Sequence, residues 1–422
     1  MKNDLSNVLR DNLSQNIIAM YCIQASRYLL PLIYIPYLAR VLGVSSWGAL
    51  AFAQAFALYA SLIVDYGFEL SATREVAKNR NNPEALSEIV AGVLGAKIAL
   101  SGITIILGLA LQGLVPIFAA EPLLLWMGIF WGLTQAFNLY WFFQGIERLK
   151  VVASIDIATK LLGLAAIIIL VRSPADAWMV LAINGTSSLI LFGVMLAIIY
   201  SKVKFRLPQI TAARYAIGNG WNAFLIRGGS SLYTIATPFL IGLFSSTEIV
   251  GYFSAAERIA RVLREAVRPV TRVLYSRINY LIGHDIKRAA HHARVLLVAL
   301  ASFGFVVSAS IVVFAPWVVG WIFGPGFEPA VPILRVLSVL AFITAIGNVL
   351  GIQWMLPNGL DRQLVQIILL SNAFFVVLAI IFIVSVPVGV GIALAVVVTE
   401  AIVAGLCFLA LVKADLDPFR TR

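Results

Sequence analysis

Apolar residues run along this chain in long uninterrupted blocks, separated by short polar stretches and without sustained period-two alternation. A helix needs about 20 apolar residues to cross a bilayer. Blocks near that length fall at 15–38, 46–68, 87–111, 120–143, 152–171, 177–200, 216–242, 248–276, 293–315, 331–356, 364–385 and 389–412. They are too long for barrel strands, and a backbone in lipid must satisfy its own hydrogen bonds, so each is expected to be a helix. The pattern therefore predicts an all-α integral membrane protein of about twelve transmembrane helices. Composition agrees: 61% of the 422 residues are hydrophobic and 12% are charged, with a mean hydropathy of +0.95. No soluble core needs that much apolar surface.

The cations sort by loop. One alternating set of loops holds Arg74, Lys78 and Arg80; Arg148 and Lys150; Lys202, Lys204, Arg206 and Arg214; Arg277, Lys287, Arg288 and Arg294; and Arg362. The tails add Lys2, Arg10, Lys413, Arg420 and Arg422, whereas the opposite loops hold only Arg40 and Arg172. The positive-inside rule places both termini in the cytoplasm. The net charge of +11 thus follows the membrane and forms no basic domain for nucleic acid. The polar opening "MKNDLSNVLRDNLSQN" leads into a full span and does not read as a secretory signal. Cys22 and Cys407 lie in distant apolar blocks and read as buried small hydrophobes, not as a disulfide. The loops are short, with no room for an inserted catalytic domain.

A repeat is visible. "SSWGALAFAQA" (Ser45–Ala55) resembles "EIVGYFSAAER" (Glu248–Arg258), and "GIERL" (Gly145–Leu149) echoes "GLDRQ" (Gly359–Gln363). Six spans separate the copies, so they share orientation. The expectation is two parallel six-helix lobes, 1–205 and 206–422, with a substrate site at mid-membrane between them.

Charges inside the spans are the candidate chemistry. A cation at the bilayer centre costs about 2.5–3.5 kcal/mol on insertion scales and persists where it faces water or a partner. "AAERIARVLREAVRP" (Ala255–Pro269) carries Arg258, Arg261, Arg264 and Arg268 at helical spacing. A rise of about 1.5 Å per residue puts Arg258 near mid-membrane and Arg264 and Arg268 near the cytoplasmic interface. Arg27 and Arg227 fall centrally in the first and seventh spans, beside the breakers Pro31 and Pro36 and Gly228, Gly229 and Pro238. Lys97 and Lys160 come out near mid-depth, and Arg335 nearer the outer face. Asp65 and Glu69, one turn apart, sit near the cytoplasmic mouth with Arg74 below, and Glu257 and Glu400 are central. Asp156 lies four residues before Lys160, the spacing of a helical ion pair.

This interior is positive on balance, and guanidinium forks suit phosphate oxygens. The expected anion-binding set is Arg27, Arg227, Arg258, Arg261, Lys97 and Arg335. Gate or ion-coupling candidates are Asp65, Glu69, Arg74, Glu257 and Glu400. Structural readings stand beside these: interhelical ion pairs for the central arginines, snorkelling for Lys97, interfacial anchoring for Arg264, Arg268, Asp65 and Glu69. No metal-ligand spacing is found, His284, His291 and His292 included, and neither a Walker A motif, HExxH nor a nucleophile elbow occurs. The arginine triplet lacks the filter loop of a voltage-gated channel.

"LARVLGVSSWGALAFAQAFALYASLIVDYGFELSATREVAKNR" (Leu38–Arg80), with "DYGFELSATRE" its most specific part, resembles the second-span region of Wzx-type O-antigen flippases of the multidrug/oligosaccharidyl-lipid/polysaccharide exporter superfamily. "STEIVGYFSAAERI" (Ser246–Ile259) and "PGFEPAVPILRVLSVLAFITAIGNVLGIQWMLPNGLDR" (Pro325–Arg362) resemble that family's second half. The resemblance implies two lobes in a V with alternating access. It also implies transfer of undecaprenyl-pyrophosphate-linked oligosaccharide across the bacterial inner membrane, without a cofactor. It implies arginines facing the cavity at positions matching Arg27, Arg258 and Arg261. Coupling to a proton or sodium gradient stays open, as do other polysaccharide-assembly membrane proteins as partners. The alternatives are a lipid II-type flippase, a membrane polymerase or ligase, and an exporter of small cations. Short outer loops speak against the enzyme, and the positive interior against cation export.

Overall fold

The structure, a computed structural model, describes residues 2–265 and 268–419. Within these, the side chains of residues 2–25, 27–29, 222, 226–236, 268–270, 272, 273 and 276 lie outside the described set. The described chain is helical throughout. In order, the helices are α1 (Lys2–Asp65), α2 (Phe68–Lys78), α3 (Pro83–Leu114), α4 (Pro116–Ala120), α5 (Pro122–Ala136), α6 (Tyr140–Gly145), α7 (Leu149–Leu170) and α8 (Ala177–Tyr200). They continue with α9 (Ile210–Phe244), α10 (Thr247–Glu265), α11 (Arg268–Ile282), α12 (Ile286–Phe323), α13 (Ala330–Ser338), α14 (Leu340–Gly347), α15 (Asp361–Ser385) and α16 (Val388–Lys413).

Eight stretches among the described residues are long and apolar enough to cross a membrane: Leu30–Lys78, Pro83–Leu114, Leu149–Leu170, Pro174–Tyr200, Ile286–Phe323, Ala330–Met355, Asp361–Ser385 and Val388–Lys413. The first holds the expected span 46–68 and the end of 15–38; the two meet inside α1 at Gly43, whose φ of 67° and ψ of 177° are non-helical. The expected span 120–143 is not one helix: α5 stops at Ala136 and α6 starts at Tyr140. The expected span 248–276 falls on α10 and α11, and α10 alone carries Glu248, Glu257, Arg258, Arg261, Arg264 and Glu265. Large apolar side chains stand exposed on α3 (Ile106, Leu109), α12 (Phe305, Val313) and α15 (Ile380, Val384). Such surfaces belong in lipid.

The chain divides into two compact units, residues 1–228 and 229–422. The boundary of these units falls inside α9, because the start of α9 packs on the first unit. A Cβ on Gly92 would lie 3.0 Å from the Ala212 carbonyl, and Tyr66 stacks on Phe224 at 4.6 Å between ring centres. In the first unit α1 packs against α5 and α7, and α5 against α8. The α1–α5 contact is close: a Cβ on Gly132 would come within 2.4 Å of the Ala57 carbonyl oxygen. Small residues are what allow membrane helices to approach this nearly. In the second unit α10 packs on α13, α12 on α14, and α15 on α16. A π-helical segment, Asn348–Met355, joins α14 to the turn before α15.

Local chemistry sets the helix ends. Asn82 accepts from the backbone N–H groups of Glu84 and Ala85 at 3.1 and 3.2 Å, with Pro83 at the first helical position of α3. Asp285 caps α12 through the Arg288 N–H at 3.0 Å. Pro31, Pro36 and Pro316 lie inside helices. The expected breaks at Pro31 and Pro36 therefore do not occur. The first unit is interrupted at two other places, after Asp65 and after Ala136.

Candidate functional site

Those two interruptions build the site. After Asp65, Tyr66 and Gly67 both take positive φ, 45° and 75°, and α2 begins. Gly67 is required twice over: an L side chain is strained at that φ, and a Cβ there would lie 2.8 Å from Ala223 atoms. Phe68 is fully buried. Thr73 of α2 donates to the Trp141 carbonyl of α6 at 3.2 Å, so the pieces that follow the two breaks are tied together. At the second break, Asn138 stands in for lost backbone bonds. Its Nδ2 donates to the Gln135 carbonyl at 2.8 Å, and its Oδ1 accepts from the Tyr140 N–H at 3.3 Å.

Lys97 of α3 sits where α1 and α5 end. Its side chain is fully buried, and Nζ lies 3.2 Å from Asp65 Oδ1 and 2.5 Å from the Ala136 carbonyl oxygen. The Phe68 ring centre is 5.8 Å away. Asp65 is the last residue of α1 and Ala136 the last of α5, so one ammonium meets the negative ends of two helices. Lys97 was expected to face a lumen. The structure places its ammonium fully buried, between Asp65, the Ala136 carbonyl and the Phe68 ring.

Above this junction is a cavity of about 400 Å³ within the first unit, bounded by α1, α2, α5, α7 and α8 and by the α5–α6 break. Asp65 and Glu69 line it together, from either side of the break after Asp65 and not from one helical turn, and so do Asp156 and Lys160, paired at 2.6 Å. The remaining wall is part aliphatic, from Leu30, Leu164, Ile167 and Leu191, and part amide, hydroxyl and aromatic, from Gln135, Asn138, Asn184 and Ser187, with Tyr34 and Trp131. Sequence reasoning sought charges and missed these neutral groups. Two signals were present: Gln135 and Asn138 three residues apart, and Asn184, Ser187 and Ser188 on one helical face.

In the second unit, Glu257 is the hub of the arginine stripe. Its Oε1 lies 2.8 Å from Arg261 Nη2, 2.9 Å from Arg261 Nε and 3.6 Å from Arg264 Nη2. Arg264 Nε is buried without a hydrogen-bond partner. Arg258 is half-buried on the same helix. From Glu257 to Glu265 three arginines stand against two glutamates. A cavity of about 20 Å³ beside Glu257 and Arg264 has room for about one water. Arg335 is exposed and donates from Nε to the Val312 carbonyl at 3.1 Å. Arg74 is exposed on α2, and Glu400 is half-buried on α16. The side chains of Arg27, Arg227 and Arg268 lie outside the described residues.

Comparison with known proteins places this architecture. Two curated relatives, each named "Putative O-antigen transporter", match along most of their length. The one from Escherichia coli (strain K12) is 29% identical over 371 residues, 87% of this chain and 89% of the relative. The one from Shigella dysenteriae is 27% identical over 369 residues, 85% and 90% respectively. Two solved structures share the fold at a TM-score of 0.71. An inward-facing multidrug resistance MATE family transporter of the MOP superfamily covers 96% of this chain and 99% of its own at 16% identity. The lipid II flippase MurJ, in an inward closed conformation, covers 94% and 87% at 14% identity. The sequence model of one family, described as polysaccharide biosynthesis protein, matches residues 13–281, more than half the chain; this protein belongs to that family and is built on the fold of the MOP superfamily transporters.

Proposed function

We propose that the protein is a flippase that moves undecaprenyl-pyrophosphate-linked oligosaccharide, an O-antigen or related repeat unit, from the cytoplasmic to the periplasmic leaflet of the bacterial inner membrane. The observation that carries this reading is the match to two O-antigen-transporter relatives over more than four-fifths of the chain. In the proposal, twelve spans form two six-helix lobes, 1–205 and 206–422, with both termini cytoplasmic. The pyrophosphate engages Arg27, Arg227, Arg258 and Arg261, with Arg335 guarding the outer side. The excess of guanidinium over carboxylate around Glu257 supports an anion-binding role. Lys97 contributes indirectly, by holding the wall. Binding offsets repulsion among the arginines and so shifts the balance between inward- and outward-open states. Glu69, Arg74, Glu257, Glu400 and Asp65 are the coupling and gating candidates, driven by a proton or sodium gradient.

The test is surface glycan display in a strain lacking its own flippase but making the matching lipid-linked unit. The wild-type chain is compared with Arg27→Ala, Arg227→Ala, Arg258→Ala and Arg264→Ala at equal membrane abundance. Loss of display in the first three variants and its retention in Arg264→Ala is the expected result. Full display in all four removes the arginine site. Failure of the wild type, with lipid-linked units already reaching the periplasmic face, removes the flippase reading altogether.

A further inference from the structure

We propose that the cavity of the first unit is a saccharide subsite: it takes one or two sugar rings of the transported glycan, while the pyrophosphate binds elsewhere. The inference rests on the export reading above and deepens it.

Three observations carry it. The first is charge. The cavity wall and the residue behind it set Lys97 and Lys160 against Asp65, Glu69 and Asp156, and both lysines are already bonded to carboxylates at 3.2 and 2.6 Å. Among the described residues no excess cation remains to hold a pyrophosphate, and the carboxylates would repel one. A neutral polyol meets no such penalty, and ionised carboxylates are strong acceptors for hydroxyl groups. The second is the wall itself. Gln135, Asn184 and Ser187 supply amide and hydroxyl groups, and Trp131 and Tyr34 supply flat apolar faces. Planar acceptors that each take a hydroxyl pair, beside rings that cover the C–H face of a pyranose, form the pattern a sugar requires. The third is an unmet need. Gln135 Oε1 is buried at this wall without a hydrogen-bond partner. Leaving such an atom unsatisfied is unfavourable, and a ligand hydroxyl would satisfy it. Asn138, by contrast, is spent on the helix break.

Size agrees. At about 400 Å³ the cavity stands at the small end of small-molecule sites, which run from about 300 to 1,000 Å³. It admits a ring or a pair of rings and not a whole repeat unit. Among the described residues, no three His, Cys, Asp or Glu side chains gather closely enough to hold a metal ion.

Two measurements on the full-length chain test this. In the first, the chain in nanodiscs is mixed with free N-acetylglucosamine, glucose, galactose or rhamnose, and saturation-transfer NMR reads binding. At least one sugar is expected to bind. Gln135→Leu and Asn184→Leu are expected to weaken it at least about fivefold, the loss that follows from one unmet buried hydrogen bond, while Gln135→Glu keeps an acceptor and keeps binding. Inorganic pyrophosphate should not compete. No signal from any sugar, equal signal in the leucine variants, or displacement by pyrophosphate overturns the subsite. So does sodium binding that Gln135→Leu and Asn184→Leu weaken, without any sugar response, which would make the cavity a cation site. In the second, glycan display is compared for the wild type and Gln135→Leu at equal abundance and melting temperature. A loss in the variant supports the subsite, and undiminished display overturns it. Failure of the wild type to restore display would remove the export reading, and the NMR arm would still decide the cavity.

Discussion

Lys97→Met is the sharpest probe of the first unit. The wild-type ammonium is wholly shielded from solvent, 3.2 Å from Asp65 and 2.5 Å from the Ala136 carbonyl. At 3.2 Å and an effective dielectric of about 20, two unit charges attract by about 5 kcal/mol. Desolvation offsets much of that, so the pair adds little relative to an apolar replacement of both partners. Removing one partner is different, because the other is stranded: about 3–5 kcal/mol is the usual loss. The Asp65 side chain is 14% exposed and can turn toward water, which puts Lys97→Met near the lower figure, about 3 kcal/mol. Asp65→Asn leaves the ammonium its carbonyl partner and should cost less, about 1–3 kcal/mol. The double variant should recover much of the sum, with a coupling of at least about 1 kcal/mol. Equilibrium unfolding in mixed dodecylmaltoside–SDS micelles measures all four proteins. A Lys97→Met variant within about 0.5 kcal/mol of the wild type, or strictly additive single losses, would refute the buried pair.

Other substitutions test other parts of the description. Gly67→Ala combines a strained φ with a contact of 2.8 Å to Ala223 and should destabilise by about 2–5 kcal/mol, read by the same unfolding assay. Gly132→Ala forces α5 away from the Ala57 carbonyl, 2.4 Å from the new Cβ, and should cost about 1–3 kcal/mol and lower the melting temperature. Glu257→Gln releases Arg261 and Arg264 from their shared carboxylate. The expectation is a loss of about 1–3 kcal/mol by denaturant titration, together with changed glycan display at equal abundance.

Helix placement was legible because lipid imposes it: the block 177–200 coincides with α8, and 364–385 lies within α15. The Asp156–Lys160 pair followed from spacing alone, since residues four apart share a helix face. The breaks were not legible. A membrane helix tolerates proline when neighbours satisfy the freed backbone, so Pro31 and Pro36 misled. Asn138 gave little warning within an apolar run. Depth arithmetic put Lys97 near mid-membrane but could not say which way it faced, because facing depends on where α1 and α5 end. Arg261, Arg264 and Glu257 were read as separate anion-binding, interfacial and gating groups. Their joining through one carboxylate became visible only once the three were placed along a single face of α10. The neutral wall of the cavity escaped for a related reason: amides and hydroxyls carry no insertion penalty large enough to stand out in a sequence.

The buried lysine also bears on how the chain enters the membrane. Asp65 leaves the ribosome 32 residues ahead of Lys97. Each charge inserted alone would cost about 2.5–3.5 kcal/mol at the bilayer centre. Successive helices that carry opposite charges can enter as a hairpin with the charges already matched, which removes much of that barrier. The Ala136 carbonyl arrives only later, when α5 emerges, and completes the site. The contact that closes the finished unit is thus one that synthesis order brings together in two steps, the carboxylate first and the carbonyl last.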